Sequence, residues 1–431
     1  MKELFEKLSL RQSSYSQLSL EKKYTELLIL ADNQFFSDGL LLPLISSSTR
    51  PILVDPGLHA QLDNLSSTNK FVFVRESLLE KIRIIPGFQY ITERNFSKER
   101  TTYLAEYLGF MTSGTEGKPN IIWKSSNNLL SEVDVLKDLF AVNSSSRFLS
   151  SITTCHIYGF LWAYLLPQLY AKEVVSAGSL SSALKELSKG YDFWISSAPV
   201  LEAFKKTGEW QRNEVYANNI ISSASVLNPD IAKYYESKPR VSVFEIYGST
   251  ETGGIAYRRT ALHDSFIPFP KVKLSRKYTG NLCVKSSYVS EYSQRGEKQI
   301  CIQDEDQFYE MGDWVELSPD GMRYKGRLDR LVKIKGKRIH LDELEILYYK
   351  DFNIKEKPIC LFYKEELYLI IKRPGIPKSS FIAIIENNFP NYLKPTKIYY
   401  ISYIPLLKDS KLDYKRIEKF LQKKLSGRQF I

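Results

Sequence analysis

The feature that most constrains this chain is a change of character near Gly326. Before it, strand-like apolar runs such as Leu27 to Leu30, Pro51-Ile52-Leu53-Val54 and Val174-Val175 each end in polar or Gly-rich punctuation and alternate with helical segments, which is α/β patterning. After it, Lys-rich, β-branched runs (Leu331 to Ile334, Ile359 to Tyr363, Leu367 to Lys372) alternate with helix-like Asp342 to Tyr349 and Ser379 to Asn387. A chain of 431 residues is too long for one ordinary core. It suits a large domain followed by a small one, with the break at the Asp329 turn.

Composition narrows the function classes. With 43% hydrophobic and 13% aromatic residues the chain can fill a globule and carries no disorder signature. The longest apolar run, Ile157 to Ala171, is broken by Gly159 and Pro167 and falls short of the ~18 residues of a membrane span. Met1-Lys2-Glu3-Leu4-Phe5-Glu6 does not resemble a signal peptide, so a cytoplasmic location is expected. Cys155, Cys283, Cys301 and Cys360 form no CxxC pair, and His59, His156, His263 and His340 show no ligand spacing. The cysteines read as free thiols in a reducing compartment. A net charge of +11 is spread along the chain and interleaved with acids. That pattern fits a solvated basic surface, or one that draws in anionic partners such as ATP, CoA or an acidic carrier protein, better than a nucleic-acid footprint.

Three stretches carry chemistry. Thr112-Ser113-Gly114-Thr115-Glu116-Gly117-Lys118-Pro119 packs hydroxyls, glycines and a cation together, as a loop closing over a polyphosphate needs. Gly109 and Gly114 stand at the P-loop GxxxxG spacing, but Thr115-Glu116 follows where that motif requires Lys and then Ser or Thr. Downstream, Val241 to Ile246 reads as a strand ending in the Gly-rich turn Tyr247-Gly248-Ser249-Thr250-Glu251-Thr252-Gly253-Gly254. Further on come Tyr309-Glu310-Met311-Gly312-Asp313, Gly326-Arg327-Leu328-Asp329-Arg330, Lys333 to Ile339 and Leu341 to Glu345.

In order and spacing these motifs strongly resemble the adenylate-forming enzymes: acyl- and aryl-CoA synthetases, peptide synthetase adenylation domains and luciferases. The resemblance runs from about Tyr107 to about Lys415 and is loose over the N-terminal portion before it. The compact length, Leu28 to Asn33 and His156-Ile157-Tyr158-Gly159 look most similar to the acid ligases of aryl-polyene-type pigment clusters. The resemblance implies an α/β fold. It consists of a large N-terminal domain (1–326) of mixed sheets layered with helices and a small mobile α+β C-terminal domain (327–431). It also implies ATP and Mg²⁺ as cofactors, a small carboxylic acid as substrate, and CoA or a phosphopantetheine carrier, such as an acyl carrier protein, as acceptor.

Roles follow from the same resemblance. Thr112, Ser113, Gly114, Thr115, Gly117 and Lys118 would embrace the phosphates, with Tyr247 and Gly248 at adenine, Thr250 at the α-phosphate and Glu251 as Mg²⁺ ligand. Asp313 would take the ribose, Arg327 the ribose or phosphate, and Lys411 would bridge acid and α-phosphate. Asp329 is the expected hinge, and Lys335 and Gly336 would face the thiol. The acid pocket is expected from Cys155 to Gly159, Trp194 to Pro199, Ser222 to Ser225 and the Tyr247 turn, with His156, Tyr158, Gly159, Ser223 and Ala224 named in it. His156 is read as a pocket wall or gate, because a carboxylic acid is already ionised at neutral pH and needs no base. No Asp stands near Gly159-Phe160 to pair with an α-ammonium, which favours an aryl or acyl acid. Two departures from the family pattern stand out: Asn120 replaces the usual Lys, for which Lys118 or Lys124 would compensate, and Ser410 replaces Gly. Besides a ligase, the residues allow a degenerate homologue that binds nucleotide or acyl ligand without turnover.

Overall fold

The computed structural model describes residues 1–12, 17–64, 71–98, 105–112, 119–212, 216–278, 280–296, 298–352, 354, 357–372, 377–405 and 412–425. Packing divides them into two compact units, Met1–Leu274 with Val284–Tyr309, and Ser275–Cys283 with Glu310–Ile431.

Two large sheets build the first unit. In one, Tyr24–Leu30 pairs in parallel with Ser48–Val54 and Phe71–Val74, and Ser48–Val54 with Tyr107–Thr112. The hairpin Tyr107–Thr112/Asn120–Ser125 then continues it antiparallel. These strands bury both faces, which is why they read as near-continuous apolar runs. Strand alternation sends Leu27, Ile29 and Leu53 into one core and Leu28, Leu30, Ile52 and Val54 into another.

The second sheet lays Glu173–Ser176, Arg147–Ser150, Tyr191–Ser197, Ala217–Ser223 and Ser242–Ser249 side by side, all parallel. Gly253–Arg259 returns antiparallel from the last of them. Phe193, Ile195, Ile221 and Ile246 share a core with Leu27, Ile29, Phe110 and the helical run that carries Phe160, Trp162 and Tyr164. That run contains a π-helical turn at Leu161–Leu165 and ends at Tyr170. No helix among the described residues is long and apolar enough to cross a membrane.

The second unit holds most of a sheet of Lys273–Arg276, Asn281–Lys285, Tyr309–Ser318 and Gly321–Arg327, a short hairpin, and a three-stranded sheet of Ile359–Tyr363, Glu366–Lys372 and Lys397–Ile401. Leu344, Tyr348 and Phe352 of helix Leu341–Phe352, with Phe381 and Ile385 of helix Lys378–Asn388, pack on Cys360, Leu369 and Ile371. Ile417 of helix Tyr414–Leu425 packs with Ile359 and Ile370, which alternation turns to the opposite face. This is the α/β plus α+β architecture expected. Composition changes at Gly326, whereas hydrogen bonding groups Asn281–Lys285 and Tyr309–Ser318 with Gly321–Arg327, so the packing division falls earlier in the chain.

Candidate active site

Because five strands of the second sheet run parallel, their carboxyl ends lie along one edge. Ligands of open α/β sheets bind outside that edge. All four segments expected to line the acid pocket run up to or follow such strand ends, those of Arg147–Ser150, Tyr191–Ser197, Ala217–Ser223 and Ser242–Ser249. Ala224, first after its strand, is exposed and held at φ 71°, a left-handed conformation that strains any residue with a Cβ. Ser223 donates to the Ile246 carbonyl at 2.8 Å and so ties that strand end to the next.

The Tyr247–Gly254 turn is built from within. Tyr247 is half-buried against Phe266, with ring centroids 5.5 Å apart, and a register shift at Tyr247/Gly248 lets the chain bend. Thr252 Oγ1 accepts from the Ser249 N–H at 3.0 Å and donates to the Gly253 carbonyl at 2.8 Å. Gly248 has no room for a side chain, since a Cβ would sit 2.0 Å from the Gly253 carbonyl oxygen. Thr250 and Glu251 are half-exposed at the tip.

Beneath the turn lie two buried charges. Lys124 is the last residue but one of strand Asn120–Ser125, is 1% exposed, and donates from Nζ to the carbonyls of Glu251 at 3.0 Å and Tyr288 at 2.6 Å. Glu132, on helix Ser126–Leu139, accepts the Gly254 N–H on Oε1 at 2.6 Å. Burial pulls the Lys124 ammonium down to about 8, opposed by the charges of Glu132 and Glu251. It pushes the Glu132 carboxyl up to about 7, opposed by Lys124 and the Gly254 N–H. Lys124 therefore does not serve the pyrophosphate end as the sequence allowed; its charge faces inward, onto backbone. Glu132 gives no sequence signal beyond an acid at helical spacing, and only the fold shows its partner.

At the acid-pocket segments the sequence reading needs two further corrections. Trp194 is fully buried on the far face of the sheet, stacked near Trp210 and donating to Ser151 Oγ at 2.7 Å. Strand alternation puts Phe193 and Ile195, not Trp194, on the inner face. The Tyr158 hydroxyl donates into the carbonyls of Ser196 at 2.9 Å and Ile221 at 2.8 Å, and burial raises it well above its usual range, so only its ring can face an acid. Gly159 is required by packing, because a Cβ there would lie 1.9 Å from the Thr153 carbonyl oxygen.

His156 has an unforeseen neighbour. Its Nε2 lies 3.4 Å from Asp55 Oδ2, the residue following strand Ser48–Val54 of the other sheet. Cys155 Sγ donates to the same oxygen at 3.1 Å, and the Gly57 N–H to Oδ1 at 2.6 Å. Burial alone would raise the Asp55 carboxyl, but bonds from His156 and Cys155, the His156 charge and the Gly57 N–H outweigh it and hold it below the usual range. Asp55, Cys155 and His156 offer donor atoms within 4.8 Å of one another, as a metal site would. Burial and Asp55 keep the thiol well above its usual range, so it acts here as a hydrogen-bond donor. The cluster reads as the anchor of His156.

Of the phosphate loop, Thr112 is described: its hydroxyl donates to the Asn120 carbonyl at 3.1 Å, where the hairpin closes. Ser113, Gly114, Thr115, Gly117 and Lys118 lie outside the described residues, as does Lys411.

The second unit brings Asp313, Arg327 and Asp329 together. Asp313 faces Arg327 across the strand pair, with Arg327 Nη1 3.5 Å from its Oδ1. Arg327 Nε and Nη2 reach the two Asp329 oxygens at 3.1 and 3.3 Å. Lys335 and Gly336, at φ 46° and 84°, form the two-residue turn between Leu331–Ile334 and Lys337–His340, the conformation such tight hairpins need. Gly336 faces open space.

Residues 107–282 match the family model of AMP-binding enzymes. Among curated proteins, a probable CoA ligase of Humulus lupulus is 22% identical over 90% of this chain and 75% of its own length. Gramicidin S synthase 1 of Brevibacillus brevis is 25% identical over 46% of this chain, which spans only 21% of that synthase. The 4-coumarate–CoA ligase of Cereibacter sphaeroides is 26% identical over 45% of this chain and 44% of its own. Among solved structures, ATP-bound MatB from Rhodopseudomonas palustris superposes with a TM-score of 0.78 at 15% identity, covering 98% of this chain and 93% of that one. The o-succinylbenzoate CoA synthetase MenE of Bacillus subtilis, bound to its acyl-adenylate, gives 0.74 at 16% identity, covering 96% and 91%.

Proposed function

Because this chain carries an AMP-binding enzyme domain on the fold shared by acyl- and aryl-CoA synthetase-like adenylate-forming enzymes, we propose that it is an acid–thiol ligase. The carboxylate oxygen of an aryl or acyl acid attacks the α-phosphorus of ATP, pyrophosphate leaves, and an acyl-AMP results. A pantetheine thiol, of CoA or of an acyl carrier protein, then attacks the acyl carbon and AMP leaves. The observation that carries this reading is the Tyr247–Gly254 turn, fixed by buried contacts at the carboxyl edge of the parallel sheet with Thr250 and Glu251 half-exposed at its tip.

In that reading Tyr247 stacks on adenine, Thr250 donates to the α-phosphate, and Ala224 and His156 bound the acid pocket. Glu251 suits Mg²⁺, being a carboxylate, a hard oxygen donor, on a fixed backbone. Bound there, Mg²⁺ would offset phosphate charge. Asp313 and Arg327 are assigned to ribose, Lys335 and Gly336 to the thiol arm, and Asp329 to the hinge. With Lys124 turned inward, Lys118 remains the cation for pyrophosphate. ATP chemistry and four free cysteines suit the cytoplasm.

Acid-dependent exchange of labelled pyrophosphate into ATP tests the proposal. Aryl and medium-chain acyl acids should support it better than amino acids, since no Asp stands near Gly159-Phe160 to pair with an α-ammonium. A panel in which only amino acids were active would overturn that preference. ATP binding without exchange for any acid would instead identify a non-catalytic homologue.

A further inference from the structure

Lys124, Asn128 and Glu132 follow one another at intervals of four, starting where the phosphate-loop hairpin ends. All three reach the same region. Lys124 holds the Glu251 and Tyr288 carbonyls, Asn128 Nδ2 holds those of Ser287 at 2.8 Å and Val289 at 3.1 Å, and Glu132 takes the Gly254 N–H. The Ser290 N–H also donates to the Glu251 carbonyl, at 2.8 Å. Gly253, at φ 68°, is pressed on the Glu132 carboxylate: a Cβ added there would lie 2.0 Å from Oε2. A fully buried ammonium and carboxylate are a poor way to gain stability, because apolar side chains of like volume would usually hold a fold as well or better. Their contacts instead fix a backbone.

We propose that Lys124 and Glu132 are positioning residues that lock the Glu251 turn to the hairpin bearing the phosphate loop. Lys124 sets the Glu251 carbonyl and Glu132 the Gly254 amide, so the Glu251 side chain leaves from a backbone fixed on both sides. The two ATP motifs of this unit, far apart in sequence, are thereby tied through one ammonium. This inference rests on the adenylation reading, in which Glu251 holds Mg²⁺.

The test compares the parent with Lys124→Met/Glu132→Gln, which is neutral, close in volume, and keeps an acceptor for Gly254. Glu132→Gln alone, which changes only the group that accepts the Gly254 N–H, is the second variant. Exchange is followed while Mg²⁺, ATP and acid are each varied. The Mg²⁺ concentration for half-maximal exchange should rise about tenfold in the double variant, the scale of losing one charge-assisted hydrogen bond, while the acid KM stays within about twofold. Amide hydrogen exchange of the 247–254 segment should accelerate in parallel. Unchanged Mg²⁺ dependence in a folded variant overturns the inference. So does an equal loss in every parameter alongside a lowered melting temperature, which marks a purely structural pair. Should the double variant not fold, Glu132→Gln decides by the same readouts. An inactive parent would overturn the adenylation reading and this inference together, whereas an active parent with an indifferent variant overturns the inference alone.

Discussion

The Glu251 turn of the first unit and the Arg327 cluster of the second hold charge in opposite ways. Around Glu251 the charges are buried and bonded to backbone: Lys124 on two carbonyls, Glu132 on an amide. Around Arg327 two of the three are largely in water, its side chain 46% exposed and that of Asp329 60%, while Asp313 is 12% exposed. Buried polar contacts of the first kind cannot be given up without a large desolvation penalty, so that turn has one conformation. Exposed ion pairs of the second kind contribute about 0–1 kcal/mol each and exchange readily for another anion. A preformed turn suits a fixed nucleotide site, and a loosely paired arginine suits a group that changes partners when a ligand arrives.

Two left-handed glycines break or sharpen this contrast most directly. Gly253→Ala forces a Cβ against the buried Glu132 carboxylate, and exchange should fall more than about a hundredfold, with a lower melting temperature. Gly336→Ala, also at positive φ but facing open space, should lower stability by only about 1 kcal/mol. Equal effects at the two positions would mean that the first turn is no more rigid than the second. Next in size is Glu251→Gln, which keeps shape and removes charge. Exchange should drop about a hundredfold with melting unchanged. Parent-like exchange would take Glu251 out of the site.

The Arg327 cluster predicts smaller changes. Removing the partly buried carboxylate in Asp313→Ala should raise the ATP KM about tenfold and leave the acid KM alone, as expected for one lost two-point contact. Asp329→Ala removes only an exposed partner of Arg327, so adenylation should stay within about threefold of the parent. An Asp329→Ala loss as large as that of Asp313→Ala would mean that Arg327 is held as tightly as Glu251.

The same contrast explains what is legible in the sequence. Fold class, the strands Leu331–Ile334 and Ile359–Tyr363, and the order of motifs can be read because period-2 runs and Gly-rich turns are local signals. Lys124 misleads and Glu132 stays silent because a buried ion's partners come from distant segments; the Lys124 contacts lie 127 and 164 residues away. Asp55 is silent for the same reason: it meets His156 only when two sheets pack. The segment that carries Trp194 does run to the carboxyl edge of the parallel sheet, but in a strand neighbouring residues face opposite ways, and the segment alone does not say which faces in.

The smallest predicted effect belongs to His340, where the second unit does bury a titratable group. Its ring is 3% exposed, stacked on Trp314 at 4.8 Å and 2°, and neither ring nitrogen has a hydrogen-bond partner among the described residues. Burial and, more weakly, the Arg330 charge lower its pKa below 6.5, with Asp342 opposing. Between that lowered value and 6.5 the unfolded chain binds more protons than the folded one, so stability should be complete above 6.5 and decline as pH falls through this window. His340→Phe keeps the stack and removes the titration. Melting compared at about pH 7.5 and about pH 5.5 should therefore show a smaller acid loss in the variant than in the parent. The other three histidines are common to both proteins, so the difference isolates His340. An identical acid loss in parent and variant would mean that His340 reaches water and is solvated as Arg327 is, rather than buried as Arg330 and Glu345 of the same unit are.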